Sequence, residues 1–141
     1  MATSKVSAEA MNRFFSKAFT GDPKRIPSIT LAVADHIVME ASMDETNLRP
    51  GGFVSGPTQM MLADHMAYAV IFTRLGITPM ALTSNLNIDF LRPCIGAKVH
   101  VEGRMIKLGR SLAVISVEIR GTESDKLSSR ATVTYALPSE E

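Results

Sequence analysis

The alternation of apolar and polar residues divides the chain into helical and extended stretches. Residues 8–19 carry apolar side chains at helical spacing, which predicts a short amphipathic helix. Residues 29–39 alternate between apolar and polar, with one break at Asp35, and predict a first strand. The composition of residues 44–52, with Pro50, Gly51 and Gly52 at its end, is typical of a loop.

The stretch from Pro57 to Arg74 is apolar on nearly every side of a helix. Pro57 suits the first helical turn, where a missing N–H costs nothing, and Ser55 or Gly56 is placed to cap it. A helix that is apolar all round must be surrounded by the rest of its domain. We therefore predict a long buried helix here.

The chain after Pro79 alternates throughout and predicts four further strands. Gly109-Arg110 has the position of a tight hairpin turn, and Gly121–Asp125 that of a longer one. Hairpin-linked strands form an antiparallel sheet whose apolar face needs a cover, which the long helix can supply. The predicted fold class is α+β: a hotdog fold, with a long central helix wrapped by a curved antiparallel sheet of about five strands.

The length of 141 residues fits one domain, which we take as a single hotdog domain over 1–141, with an N-terminal helical segment at 1–25 and the core at 29–137. The 15 basic and 14 acidic residues nearly balance, and the basic residues form no cluster. This argues against nucleic-acid binding and against binding to a membrane surface. The apolar run at residues 67–72 is far too short to span a bilayer. A single cysteine, Cys94, and no signal-peptide pattern predict a cytoplasmic location.

Asp64 is the residue that most needs an explanation. It lies in the middle of the predicted buried helix, on the same side as Ala67 and Tyr68. Burying an unpaired carboxylate costs on the order of several kcal/mol, whereas a carboxylate in a desolvated cleft suits a general base or nucleophile. The alternative is that the helix reaches the surface or a subunit interface at this point, with Asp64 hydrogen-bonded or paired to a cation.

The glycine-containing loop at 51–57 leads into the start of the same helix. Free N–H groups and the positive end of the helix dipole favour negative charge there, so the Gly56 N–H could stabilise an oxyanion. Asp64 lies about 12 Å further along by helical rise. One carbonyl therefore cannot touch both groups of one helix, whereas a site between two subunits removes the difficulty. An ordinary glycine-rich turn without function is the alternative.

Four stretches resemble the PaaI-type hotdog thioesterases. Ser55–Tyr68 is similar to the family segment in which His-Gly-Gly is followed by Leu-Ala-Asp, with Leu62-Ala63-Asp64 at the Leu-Ala-Asp. Residues 82–96 resemble the next strand, and residues 108–119 and 131–137 resemble the last two. The resemblance covers residues 29–137, and the order and spacing of the stretches agree with the family.

The resemblance implies hydrolysis of a small or medium acyl- or aryl-CoA thioester to the free acid and CoA. Asp64 would be the nucleophile or the base that activates water, and Gly56 would donate to the thioester oxygen. Thr83 stands where many members carry a Ser or Thr that holds the water or the carboxylate. Strand alternation, however, places Thr83 on the face opposite Leu82 and Leu86, so it would reach the site only if the start of its strand is exposed at the dimer interface.

The expected substrate-binding residues are Asn47, Ser55, Pro57, Tyr68, Arg110 and Ser111. Arg110 is the first choice of cation for the phosphates of CoA, ahead of Arg92 and Lys107. Ser55 and Pro57 stand where the family has His and a second Gly, and Pro57 has no N–H to offer. This departure leaves open a non-catalytic acyl-CoA-binding or scaffolding protein of the same fold.

We expect no metal and no redox cofactor, with coenzyme A entering as part of the substrate. The three histidines, His36, His65 and His100, have no metal-ligand spacing. A CoA-ester dehydratase of this fold pairs a His with the acid, and no such catalytic pairing of His65 or His100 can be read from the sequence. The open sheet edges indicate a homo-oligomer, a dimer or a dimer of dimers with its sites at the dimer interface.

Overall fold

The computed structural model describes residues 2–19 and 26–139. The end of the predicted N-terminal segment, at residues 20–25, lies outside them. The helices are α1 (Ala8–Ala18) and α2 (Gly56–Leu75). The strands are β1 (Ser28–Val33), β2 (His36–Ser42), β3 (Leu48–Arg49), β4 (Phe53–Val54), β5 (Leu82–Phe90), β6 (Lys98–Leu108), β7 (Leu112–Gly121) and β8 (Ser129–Ala136), with a 3-10 turn at Glu45–Asn47.

Six strands form one antiparallel sheet in the order β1-β2-β6-β7-β8-β5. The prediction of one strand over 29–39 is wrong, because the chain reverses at Ala34-Asp35 and β1 pairs with β2. Asp35 has φ +68°, a left-handed conformation that Asp tolerates better than most residues. The break in alternation at Asp35 therefore marks a turn. The predicted loop at 44–52 contains the first strand of a small hairpin, β3-β4.

Helix α2 lies between the sheet and α1. Met11 and Phe15 of α1 are fully buried, and the Phe15 ring stacks on Phe72 of α2 with 5.7 Å between centroids. On the other side the helix packs so close to the sheet that a Cβ at Gly103 would lie 2.5 Å from Met66 Cγ. This double cover explains why α2 carries apolar residues on every side. The predicted α+β hotdog architecture is confirmed, with six strands rather than about five.

Strand β5 pairs with β8 on one side, and no other strand of the described residues pairs with its other edge. Large apolar side chains at its two ends are exposed, Leu82 by 65% and Phe90 by 51%. An unpaired strand edge of this length with exposed apolar ends is a template for pairing with another chain. In the described residues, neither helix is long and apolar enough to cross a membrane.

Candidate functional site

Asp64 lies half-buried in the middle of α2, with its carboxylate held by two hydroxyl groups. Its Oδ1 accepts a hydrogen bond from Thr83 Oγ1 at 2.6 Å and another from the Tyr135 hydroxyl at 2.9 Å. Among residues 2–19 and 26–139, no Lys or Arg forms an ion pair with it. The carboxylate is therefore fixed by neutral donors, and its second oxygen, Oδ2, carries no intramolecular hydrogen bond within these residues.

Thr83 reaches Asp64 because strand β5 contains an irregularity. Thr83 lies opposite Tyr135 and Leu86 lies opposite Val133, with the register shifted between Thr83 and Asn85. Directly opposed residues share a face of the sheet, so the extra residue turns Thr83 towards α2 together with Leu86. The alternation-based prediction for Thr83 is wrong for this reason, although the residue itself lies where the resemblance implied.

Tyr135, on β8, is a residue of the site that sequence reasoning missed. Its ring is almost fully buried and stacks on Tyr68, with 5.7 Å between centroids and 19° between planes. Burial chiefly, and the Asp64 charge in addition, raise the pKa of Tyr135 far above its ordinary value, so the hydroxyl keeps its proton and can donate it. Strand alternation predicts an inward side chain at this position, but it does not reveal which helix residue the hydroxyl meets.

Tyr68 lies one turn after Asp64, as predicted, and its hydroxyl donates to the Pro79 carbonyl at 2.8 Å. Its aromatic ring forms a wall of the site beside the carboxylate, packed on Tyr135. The hydroxyl is engaged away from Asp64, so the part of Tyr68 that a substrate would meet is its ring.

His65 follows Asp64 in sequence but points into an aromatic cluster rather than into the site. Its ring packs against Phe15, with 4.3 Å between centroids, and against Phe19. Burial lowers the pKa of His65 to about 4, although the neighbouring Asp64 charge opposes this shift. The ring is therefore neutral at pH 7, and its Nε2 has no partner among the described residues. This geometry gives His65 a packing role.

The first turn of α2 leaves one backbone donor open. Ser55 is the N-cap: its Oγ accepts from the Thr58 N–H at 3.3 Å, and its carbonyl accepts from the Gln59 N–H at 3.1 Å. Pro57 has no N–H. In the described part of the chain, the Gly56 N–H is thus the donor of this turn without an intramolecular partner, as an oxyanion donor must be.

Ser55 and Asn47 are both anchored at this helix start. The Ser55 hydroxyl donates to Thr58 Oγ1 at 2.9 Å, so the cap uses its proton. The Ser55 N–H donates to the Asn47 carbonyl at 2.8 Å, which places Asn47 beside the start of α2. The Asn47 side-chain oxygen accepts from the Asp44 N–H at 3.0 Å.

The two halves of the candidate site, the Asp64 carboxylate and the Gly56 N–H, lie apart within one chain, and β5 contacts both. Near its start, Thr83 bonds Asp64. At its end, the Phe90 ring lies against Gly56, where an added Cβ would be 3.3 Å from Phe90 Cζ. Gly56 and Asp64 are separated by about 12 Å along the helix. One thioester cannot contact both groups of the same chain.

Arg110 and Ser111 lie in the β6–β7 turn, at the Asp64 end of the sheet. The turn is closed by the Gly109 N–H, which donates to the Leu112 carbonyl at 2.8 Å, and the Leu137 N–H donates to the Ser111 carbonyl at 2.9 Å. Since Leu137 follows Tyr135 by two residues, the turn lies close to the carboxylate. Arg110 itself is exposed.

The other candidate cations differ from Arg110 in their surroundings. Arg92 donates to the Leu127 carbonyl at 2.9 Å and so braces a loop at the opposite end of β5. Lys107 is exposed near the end of β6. Cys94 is buried, and burial raises the pKa of its thiol, which makes it a poor nucleophile. The described residues hold no group of three or more His, Cys, Asp or Glu suited to a metal ion.

Comparison with protein-family models gives a match to the thioesterase superfamily over residues 51–128. This range includes Gly56, Asp64, Thr83 and Arg110, and excludes Tyr135. No curated protein matches the chain.

Solved structures with the same fold include several thioesterases. A putative thioesterase from Silicibacter sp. TM1040 is 30% identical, with 96% of this chain and 94% of that one covered and a TM-score of 0.84. A thioesterase from Haemophilus influenzae is 23% identical, with 99% and 96% covered and a TM-score of 0.83. A Streptococcus mutans protein, solved bound to acetyl CoA, is 18% identical, with 82% and 91% covered and a TM-score of 0.71.

Proposed function

The chain belongs to the thioesterase superfamily, and we propose on this basis that it is a PaaI-type enzyme that hydrolyses a small or medium acyl- or aryl-CoA thioester to the free acid and CoA. The observation that carries the proposal is the Asp64 carboxylate, whose Oδ1 is held by Thr83 and Tyr135 and which forms no ion pair with a Lys or Arg among residues 2–19 and 26–139. A half-buried carboxylate that is held in one orientation suits a general base or a nucleophile.

Two routes of thioester hydrolysis fit this arrangement. In one, Oδ2 takes a proton from water while the water oxygen bonds to the thioester carbon; the C–S bond then breaks, and the CoA sulfur receives the proton. In the other, Oδ2 itself bonds to the carbon and expels the thiolate, and water then hydrolyses the acyl-Asp64 anhydride. In both, a backbone N–H such as that of Gly56 stabilises the oxyanion.

The site requires a second copy of the chain, and β5 indicates how that copy docks. If two β5 edges pair antiparallel about their midpoint, Leu86, the end of one strand lies beside the start of the other. Phe90 of one copy, which covers its own Gly56, then lies beside Leu82 and Thr83 of the other. The Gly56 N–H of one subunit thereby approaches Asp64 of its partner. The exposed Leu82 and Phe90 are covered by the same pairing.

Arg110 is our proposed contact for the CoA phosphates, because it is exposed in the turn nearest the carboxylate. Ser111 lies in the same turn, and the Tyr68 ring lies beside Asp64, where the acyl group would be. Asn47, Ser55 and Pro57 surround the Gly56 N–H. The acetyl CoA in the Streptococcus mutans structure supports a CoA ligand on this fold. A cytoplasmic location and a dimer of dimers stay predictions.

A second candidate, a non-catalytic acyl-CoA-binding protein, is favoured by one observation. Ser55 replaces the family's His, and its hydroxyl is used within the cap by Thr58. In this arrangement the Ser55 proton is engaged inside the cap rather than by a ligand. A member that lacks this donor could bind a CoA ester without cleaving it.

Thiol release from a panel of acyl- and aryl-CoA thioesters separates the two functions. The proposal predicts CoA release that saturates with at least one thioester, measured with a thiol-reactive dye. Calorimetric titration of the same thioesters measures binding independently. Tight binding without thiol release would support the binding protein instead, and neither binding nor release would contradict both functions.

A further inference from the structure

We propose that Tyr135 is a positioning residue for the reaction: with Thr83 it holds Oδ1 of Asp64 and so presents Oδ2 to the substrate. The inference rests on the proposed function, because it concerns the same carboxylate. It adds a residue outside the stretch that matches the family model, which ends at residue 128.

The two donors come from different strands and meet on one oxygen. Thr83 lies on β5 and Tyr135 on β8, directly opposite each other in the register. Each donates to Oδ1, at 2.6 Å and 2.9 Å. Two donors on one oxygen restrain rotation of the carboxylate about its Cβ–Cγ bond, which one donor alone would leave freer. Oδ2 then has a defined direction.

The Tyr135 hydroxyl cannot readily move away. Its ring is 4% exposed and stacks on Tyr68. The hydroxyl also lies 3.2 Å from the Asp64 backbone carbonyl, so the ring is aligned with the helix at this residue. Because the hydroxyl is a neutral donor, it orients the carboxylate without pairing its charge as an Arg would.

The test is the Tyr135→Phe variant, which keeps the buried ring and removes the hydroxyl. We expect kcat to fall by roughly 10-fold, the effect of losing one oriented hydrogen bond, with KM changed by less than about 2-fold. In an Asp64→Asn background the same substitution should have no further effect on kcat, because Tyr135 acts through that carboxylate.

Thr73→Val is the matched control. Thr73 also carries a buried hydroxyl, which donates to the Val70 carbonyl at 2.7 Å and accepts from the Asp35 N–H at 3.0 Å, at the far end of α2. We expect both Thr73→Val and Tyr135→Phe to lower the melting temperature, but Thr73→Val to leave kcat unchanged. A purely structural Tyr135 would behave like Thr73.

A spectroscopic measurement keeps the inference testable if Tyr135→Phe does not fold. The chain has two tyrosines, so labelling their ring Cζ carbons with ¹³C gives two resonances. Asp64→Asn should shift the Tyr135 resonance and leave that of Tyr68, which bonds Pro79. An unmoved resonance would overturn the inference, as would Tyr135→Phe with wild-type kcat. A wild-type protein that cleaves no thioester would instead remove the proposed function and the inference with it.

Discussion

The two ends of the site differ in how completely one chain builds them. At the Asp64 end, Thr83 and Tyr135 from two strands fix the carboxylate within one chain, and the Tyr68 ring packs on Tyr135. At the Gly56 end, a single N–H points out of a capped helix start, beside an exposed Phe90. Under the proposed function, this comparison means that one chain prearranges the carboxylate and leaves the Gly56 N–H for the neighbouring subunit's site.

The largest expected effect is at the carboxylate end. Asp64→Asn keeps the shape and removes the charge, so kcat for thiol release should fall about 1000-fold or more, since both routes require Oδ2 as base or nucleophile. Asp35→Asn is the control, because Asp35 is a surface carboxylate paired with Arg74 at 2.9 Å. Wild-type kcat in Asp64→Asn would exclude either role.

The second-largest effect is expected at the unpaired edge of β5, the strand that contacts both ends of the site. Leu82→Lys places a charge where the second β5 should pack, so the dimer should dissociate and activity should fall with it, by about 10-fold or more. Sedimentation velocity gives the mass and thiol release the activity. Ile106→Lys, at another exposed apolar residue, should change neither. A fully active monomeric Leu82→Lys would mean that one chain holds a whole site.

A smaller effect is expected at the β6–β7 turn. Arg110→Ala should raise KM for the CoA thioester by about 3- to 10-fold and leave kcat nearly unchanged, because an exposed cation contributes to binding but not to the bond-breaking step. The difference from wild type should shrink at high salt. Arg104→Ala, whose side chain pairs with Glu102, is the matched control. An unaltered KM in Arg110→Ala would move the phosphate contact elsewhere.

The smallest effect on activity is expected behind the carboxylate, at His65. Its pKa in the folded state is about 4, below its ordinary 6.5, so the unfolded chain takes up the proton first as pH falls. The contribution of neutral His65 to the free energy of unfolding is therefore fully present above pH 6.5 and is lost as the pH falls from 6.5 to 4. His65→Phe should flatten this part of the melting-temperature profile without changing kcat at pH 7. An unchanged profile would show that His65 is not the group responsible.

The predictable parts of the molecule are those set by repeating patterns. Helical periodicity located α2 and placed Asp64 in its middle, and capping chemistry located the Gly56 donor. The Thr83 orientation and the Ala34-Asp35 turn each depend on one irregular residue, which alternation averages over. The strand pattern over residues 131–137 includes Tyr135, but its contact with Asp64 joins positions 71 residues apart and is decided by packing.

Mixed dimers test most directly whether Asp64 and Gly56 act from different subunits. Asp64→Asn removes the carboxylate, and Gly56→Pro removes the backbone donor at a position where a helix accepts proline. Each variant alone should be nearly inactive, whereas equal mixing after unfolding and refolding should restore up to about a quarter of wild-type activity, since half the dimers are mixed and each mixed dimer has one intact site of two. If both groups of a site came from the same chain, no mixed dimer would contain an intact site. A mixture as inactive as its parents would contradict the shared site.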